Sequence, residues 1–123
     1  MDSVRIIVQL IGGLALTGCV GLHGYGSVAE LRADALAVFK EHNQTASEVM
    51  LVVPELAPDD AATVRLLDAD AVMLAACEPL NELAIAQREG ERVSMRQRSR
   101  LPATIDDCRQ TTHETRRLLS LIP

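Results

Sequence analysis

The sequence predicts an all-α fold, a small bundle of three or four helices. The chain of 123 residues contains no tryptophan, one tyrosine and one phenylalanine. Its core must therefore consist of aliphatic side chains, which suit closely packed helices better than β-rich layers. Apolar residues also recur every three or four positions along most of the chain after Gly26, as they do on one face of a helix. A chain of this length can form one domain with one modest core.

The amino terminus, residues 1–18, is typical of an export signal peptide. A single base, Arg5, precedes an apolar run from Ile6 to Leu16. This run is too short to span a bilayer, because a transmembrane helix needs roughly 20 apolar residues. The alternative is a buried helix or strand of a cytosolic domain, which would place Gly12 and Gly13 inside a regular element at a cost of roughly 0.5 to 1 kcal/mol each.

The four residues Leu16-Thr17-Gly18-Cys19 end the apolar run. They resemble the lipobox of bacterial lipoproteins, which consists of an aliphatic residue, two small residues and a cysteine. The resemblance implies that the Cys19 thiol receives a diacylglyceryl group and that cleavage makes Cys19 the first mature residue. It also implies the outer membrane of a diderm host, with the domain facing the periplasm, because Val20 stands where an aspartate would favour the inner membrane. Two acyl chains give stable attachment to a membrane, whereas one gives only marginal binding.

A glycine-rich segment, residues 19–26, is expected to form a flexible tether to a helical domain of residues 27–123. Ser27 and Glu30 fit a capping box at the start of the first helix, which we expect to reach about His42. The apolar positions of this helix are Val28, Leu31, Ala35, Val38 and Phe39.

Residues 49–53 allow two interpretations. They continue the helical spacing, but they also form an apolar run before Pro54 that could be a short buried strand. We favour the helix because the mature chain offers no second strand with which the first could pair. Pro54 and Pro58 are expected to bracket a loop in either case.

The second helix is expected to begin with Asp59 as its N-cap. Pro79 predicts a kink or a break between Ala75 and Glu78, and Gly90 is a plausible C-terminal cap. The apolar face predicted for this helix consists of Val64, Leu67, Ala71, Leu74 and Ala75, and beyond Pro79 the pattern continues with Leu80, Leu83 and Ala84.

A third helix is expected after Pro102, where Thr104 and Asp107 imitate a capping box. Its predicted apolar face consists of Ile105, Cys108, Thr112, Leu119 and Ile122.

The number of cysteines predicts a disulfide between Cys77 and Cys108. Export would place the chain in an oxidising compartment, and lipidation would consume Cys19, the remaining one of three cysteines. The bridge requires the chain to turn back between the two residues, most plausibly at Gly90, because a disulfide needs Cα atoms roughly 4.4 to 6.8 Å apart. The alternative is a pair of buried free thiols.

Few residues suggest chemistry at a site. His23, His42 and His113 contain no pair at the spacing of a helical metal site, and each is interpreted as a lone surface histidine. Cys108 with His113 falls short of a ligand set, and the carboxylates of residues 106 and 107 are better explained as a helix start. We therefore predict no catalytic residue, no metal and no cofactor.

The charges divide the mature chain into two halves. Residues 30–82 hold eleven acids and three bases, and residues 88–117 hold eight arginines and five acids. The halves can attract each other within one molecule, although an external anionic partner is the alternative. One such hypothesis concerns Arg88, Arg92 and Arg96, which would line one stripe of a helix and could bind lipid phosphates. The net charge of -5 argues against nucleic-acid binding.

These observations favour a non-enzymatic, lipid-anchored interaction or accessory module of the cell envelope. It would contact the membrane through lipidated Cys19 and bind an envelope protein whose identity the sequence does not indicate. The alternative is an inhibitor or immunity-type lipoprotein that blocks a specific protein. An enzyme is the least expected class, because no cleft of convergent polar groups can be recognised in the sequence.

Overall fold

The computed structural model describes residues 25–123, and the predicted signal peptide, Cys19 and most of the predicted tether lie outside the described residues. Three helices follow one another in the described chain: α1 (Val28–Val52), α2 (Ala61–Arg88) and α3 (Met95–Ser120), with a short 3-10 helix at Val53–Glu55. The prediction of a small all-α bundle is confirmed. Contacts between the helices show that α2 runs antiparallel to α1 and α3, which are parallel to each other.

Helix α1 begins at the predicted serine cap. The Ser27 hydroxyl accepts the Glu30 amide at 3.1 Å, and the Glu30 carboxylate accepts the amide of Gly26 at 2.7 Å, where a capping box would use the Ser27 amide. The helix continues to Val52. The helical interpretation of residues 49–53 is therefore confirmed as far as Val52, where the 3-10 turn takes over, and the strand interpretation is wrong.

Helix α2 differs from its prediction at the cap and at the proline. Asp60, and not Asp59, is the N-cap, and its carboxylate accepts the amides of Ala62 and Thr63 at 2.9 and 3.4 Å. Of the predicted kink or break between Ala75 and Glu78, the break is wrong, because the helix runs through Pro79 without interruption. Cys77 and Leu80 are buried on either side of it, and their packing offsets the one backbone hydrogen bond that a proline removes.

Helix α3 begins eight residues earlier than predicted. Its N-cap is Ser94, whose hydroxyl accepts the Gln97 amide at 3.1 Å while the Gln97 side chain accepts the Ser94 amide at 2.9 Å. The predicted start after Pro102 is wrong, and so is the capping box at Thr104, because both residues lie inside the helix. Before it, α2 ends at Arg88 and Gly90 has a φ of 72°, as expected of a C-terminal glycine.

The core lies between the three helices. All three helices contribute side chains to one buried cluster: Leu31, Val38, Met73, Cys77, Leu80, Ile105 and Cys108. The predicted inner faces of α1 and α3 largely agree with it, since Leu31, Val38, Ile105 and Cys108 are buried. None of the described helices has a stretch that is long and apolar enough to cross a membrane.

The part of the predicted α2 face that precedes Pro79 is the wrong face, whereas Leu80 and Leu83 of its extension are buried. Val64, Leu67 and Leu74 are 44%, 40% and 45% exposed, whereas Leu66 and Met73 are fully buried. The reason is that α2 carries apolar residues on several sides, so that periodicity alone does not identify the side that faces the core. The bundle buries the side that carries Cys77, and the predicted stripe lies on the surface.

Candidate interaction surface and buried polar cluster

The outer face of α2 is the most distinctive surface of the described chain. We use this name for the exposed residues that recur at intervals of three and four positions along the helix: Val64, Leu67, Ala71, Leu74, Ala75, Glu78 and Glu82. This spacing places them on one side of the helix. The same spacing, with apolar residues at positions a and d of a heptad, is how a helix contacts a second helix in a coiled coil.

The outer face has an apolar part and an acidic part. The apolar part extends from Val64 to Ala75, about 17 Å at 1.5 Å per residue. Glu78 and Glu82 follow it toward the carboxyl end of α2, and Asp59 and Asp60 precede it before the first turn. A ligand of this face would meet apolar side chains, with the exposed Asp68 at their edge, between two groups of negative charge.

A groove with a volume of about 530 Å³ opens elsewhere on the bundle. It is lined mainly by apolar side chains of all three helices, together with polar ones from α1 and α2: Leu36, Phe39, Leu80, Leu83, Leu101, Arg32 and Gln87. Leu36 is half exposed there. Nothing in the described chain shows what would fill the groove.

The disulfide joins α2 to α3 at the centre of the bundle. Cys77 and Cys108 are bonded, with Cα atoms 4.7 Å apart, and both are fully buried. The turn after Arg88 returns the chain to make this contact, as the predicted pairing required. Thr112 lies beside the bridge, with its hydroxyl 3.8 Å from the Cys77 sulfur.

His42 projects from α1 toward the same region and is only 2% exposed. The prediction of a surface histidine is therefore wrong for this residue. Its Nε2 lies 3.2 Å from the amide nitrogen of Asn81, while its Nδ1 has no hydrogen-bond partner in the described chain. Burial lowers the pKa of His42, so that the imidazole is neutral at pH 7.

Asp70 of α2 is a second ionisable group near His42. Burial raises the pKa of the Asp70 carboxyl, and the nearby imidazole opposes this shift more weakly. One Asp70 oxygen and the Asn81 side-chain oxygen are buried without hydrogen-bond partners among the described residues. The polar interior beside the disulfide thus has hydrogen-bonding capacity that the protein does not satisfy in this conformation.

Polar contacts at the surface join α1 to α3. Tyr25 donates to Asp34, which also binds Arg109 of α3, and Glu41 accepts Arg116 at 2.8 Å. The Arg109 guanidinium and the Tyr25 hydroxyl lower the pKa of Asp34. These pairs join the acidic first half to the basic second half within one molecule, which is the interpretation favoured from the charge pattern.

The three arginines of the predicted stripe lie on three different segments of the chain. Arg88 ends α2, Arg92 lies in the connecting segment and Arg96 is in the first turn of α3. They do not form a stripe along one helix, because the helix that the hypothesis requires is interrupted. Cys19 lies outside the described residues, so that its lipidation stays a prediction.

The sequence contained a signal for the burial of His42. The buried residues Leu31, Val38, His42, Thr45 and Val49 follow each other at intervals of seven, four, three and four positions. This spacing places the histidine on the inner side of α1. Its neighbours Cys77 and Cys108 could not be found in this way, because they lie on other helices.

Comparison with known proteins adds no relative. No protein-family profile matches the chain, and neither the curated proteins nor the solved structures contain a significant match.

Proposed function

We propose that the chain is a lipid-anchored interaction module of the bacterial cell envelope that binds an amphipathic helix of a partner protein on the outer face of α2. The observation that carries the proposal is the exposure of Leu67 and Leu74, at heptad spacing, on a helix whose opposite side already packs in the core. Cys19, in its lipobox-like context, supplies the anchor. The domain would stand in the periplasm, attached to the outer membrane.

A helix is the partner structure that fits this face. The apolar part is narrow and about three helical turns long, and its positions alternate at three and four residues. A facing helix can insert its own apolar side chains between Val64, Leu67, Ala71 and Leu74 in the knobs-into-holes manner. The small side chains of Ala71 and Ala75 would allow the backbone of the facing helix to approach α2 closely.

Charge favours a basic partner over a second copy of this chain. In a parallel pair of α2 helices, Glu78 and Glu82 of one copy would face the same residues of the other. In an antiparallel pair, these glutamates would approach Asp59 and Asp60. Both arrangements place like charges opposite each other, which destabilises an interface. A helix with lysine or arginine beside its apolar stripe would instead be attracted at both ends of the face.

The binding surface is tested with two designed peptides and the full chain carrying Cys19→Ser. Both peptides have leucines at positions a and d, and one has lysines and the other glutamates at the flanking positions. We expect calorimetry to detect binding of the lysine peptide alone, and Leu67→Glu or Leu74→Glu to weaken it at least tenfold. The matched control is Leu36→Glu, an exposed leucine of the groove, which should leave the affinity unchanged. Binding lost with Leu36→Glu and retained with Leu67→Glu would reject the outer face.

The anchor is tested separately by mass spectrometry of membrane fractions from a diderm bacterium that expresses the chain. We expect an acylated amino-terminal peptide that begins at Cys19, and an unprocessed chain with Cys19→Ser. Recovery of an unmodified soluble protein that still carries Met1 would contradict the lipoprotein assignment.

A further inference from the structure

Three side chains of metal-binding type meet at the centre of the bundle, one from each helix. A ring nitrogen of His42 and the sulfur atoms of Cys77 and Cys108 all lie within 4.8 Å of one another. All three residues are buried, with exposures of 2% or less. The fold thus brings together three residues that are far apart in the sequence, since 35 positions separate His42 from Cys77 and 31 separate Cys77 from Cys108.

The imidazole of His42 has one nitrogen without a partner. Nδ1 is buried and accepts no hydrogen bond, whereas Nε2 faces the Asn81 amide group. The oxygen and nitrogen of an asparagine amide exchange places by a half-turn, and their assignment follows from the surrounding hydrogen bonds. After such a turn, the Asn81 oxygen, which lacks a partner, would accept Nε2–H and leave the Nδ1 lone pair for a metal. A histidine that binds a metal usually has its second nitrogen fixed in this way.

We propose that the reduced chain binds one Zn²⁺ through His42, Cys77 and Cys108, and that the metal and the disulfide are alternative states of the same two sulfurs. Two thiolates and a neutral imidazole are a common ligand set for zinc. Their two negative charges cancel the charge of the ion, which reduces the cost of burying it. The hydroxyl of Thr112, beside the Cys77 sulfur, or a water molecule would complete a tetrahedral site.

The interconversion requires a dithiol reductant. The dithiol gives two electrons and two protons to the Cys77–Cys108 bond and becomes a disulfide itself, and the protein gains two thiols. Each thiol then loses its proton as its Zn–S bond forms, so that the binding of one ion releases two protons. In an oxidising compartment the bridge would exclude the metal. The site therefore belongs to the reduced chain, and it does not depend on the proposed function.

The test uses the full chain with Cys19→Ser, so that only the two core cysteines can bind metal. The protein is reduced with a phosphine, freed of reductant without oxygen, and titrated with Zn²⁺ or with Co²⁺ as a spectroscopic substitute. We expect one ion per chain, a sulfur-to-cobalt absorption band that Zn²⁺ abolishes, and no binding by the oxidised protein. Cys77→Ser or Cys108→Ser should abolish tight binding. No binding by the reduced chain, or equal binding by the oxidised chain, would overturn the proposal.

The role of the histidine is tested with His42→Gln and with His113→Gln as a matched control, because His113 is exposed on α3. We expect the first variant to bind Co²⁺ at least tenfold more weakly and the second to bind like the parent. The helical content of each oxidised variant is checked by circular dichroism. If His42→Gln does not fold, Asn81→Ala serves in its place, since loss of the orienting amide should also weaken binding about tenfold. If neither His42→Gln nor Asn81→Ala changes the affinity for Co²⁺, the two thiols bind the metal without the proposed histidine site.

Discussion

Leu66 and Leu67 are neighbours in the sequence and lie on different faces of α2, about 100° apart around the helix axis. Leu66 is fully buried, and Leu67 is 40% exposed at the centre of the outer face. Both faces carry apolar side chains, yet one is buried against α1 and α3 and the other stays largely exposed. An apolar helix face can therefore pack in the core, but its apolar character does not decide whether it does. Contacts between distant residues, here the disulfide and the side chains around it, determine which face the domain buries.

The largest effect should come from placing a charge at each of these leucines. Leu66→Asp would bury a carboxylate without a partner, and we expect it to unfold the domain, a loss of more than about 4 kcal/mol. Leu67→Asp should lower the free energy of unfolding by only about 1 kcal/mol, because the side chain is partly in contact with water. Denaturant titrations followed by circular dichroism measure both. Equal destabilisation would mean that the outer face is covered by the protein itself.

A smaller effect is expected from the bridge that holds the inner face. Cys77 and Cys108 close a loop of about thirty residues, and the chain-entropy model predicts that their bond stabilises the domain by about 3 to 4 kcal/mol. Cys77→Ser and Cys108→Ser should therefore lower the melting temperature, as should dithiothreitol for the unsubstituted chain. The double variant should be insensitive to the reductant. A melting temperature that reduction does not change would show that packing alone selects the inner face.

The smallest of the three effects concerns pH. The pKa of His42 is lower in the folded chain than in the unfolded one, so that the unfolded state binds more protons between this pKa and about 6.5. The free energy of unfolding should therefore fall as the pH decreases below about 6.5. Asp70, whose pKa is raised, acts in the opposite sense, because its contribution to stability is lost as the pH rises through its folded pKa. His42→Gln should remove the histidine component from denaturation curves measured across this range. An unchanged pH dependence in the variant would exclude His42 as its source.

Local signals predicted much of the fold. Ser27 begins α1 as expected, Gly90 follows the end of α2, and the cysteine count led to the pairing of Cys77 with Cys108. The start of α3 could also have been predicted from the sequence, because Ser94 and Gln97 have the spacing of a capping box. The start was instead predicted after Pro102, eight residues too late. A proline indicates the loss of a hydrogen bond and does not show whether packing offsets it, as the continuous helix through Pro79 demonstrates.

The candidate sites were less predictable because they depend on contacts between helices. The periodicity of α2 identified Val64, Leu67 and Leu74 as a stripe, but assigned it to the core. The burial of His42 beside the disulfide required knowing which helices meet there. Both cases involve residues far apart in the sequence, for which local spacing carries little information.

The parallel arrangement of α1 and α3 has a mechanical consequence. Tyr25 lies at the start of α1, and Asp34 and Arg109 connect this region to α3. Because α3 runs in the same direction and continues from Arg109 to Ser120, its carboxyl end lies about 17 Å beyond this connection at 1.5 Å per residue. A chain attached at its amino terminus would therefore act as a spacer that holds Pro123 away from the point of attachment. A force applied at that point would act first on Tyr25 and on its contact with Asp34, which connects it to Arg109 of α3.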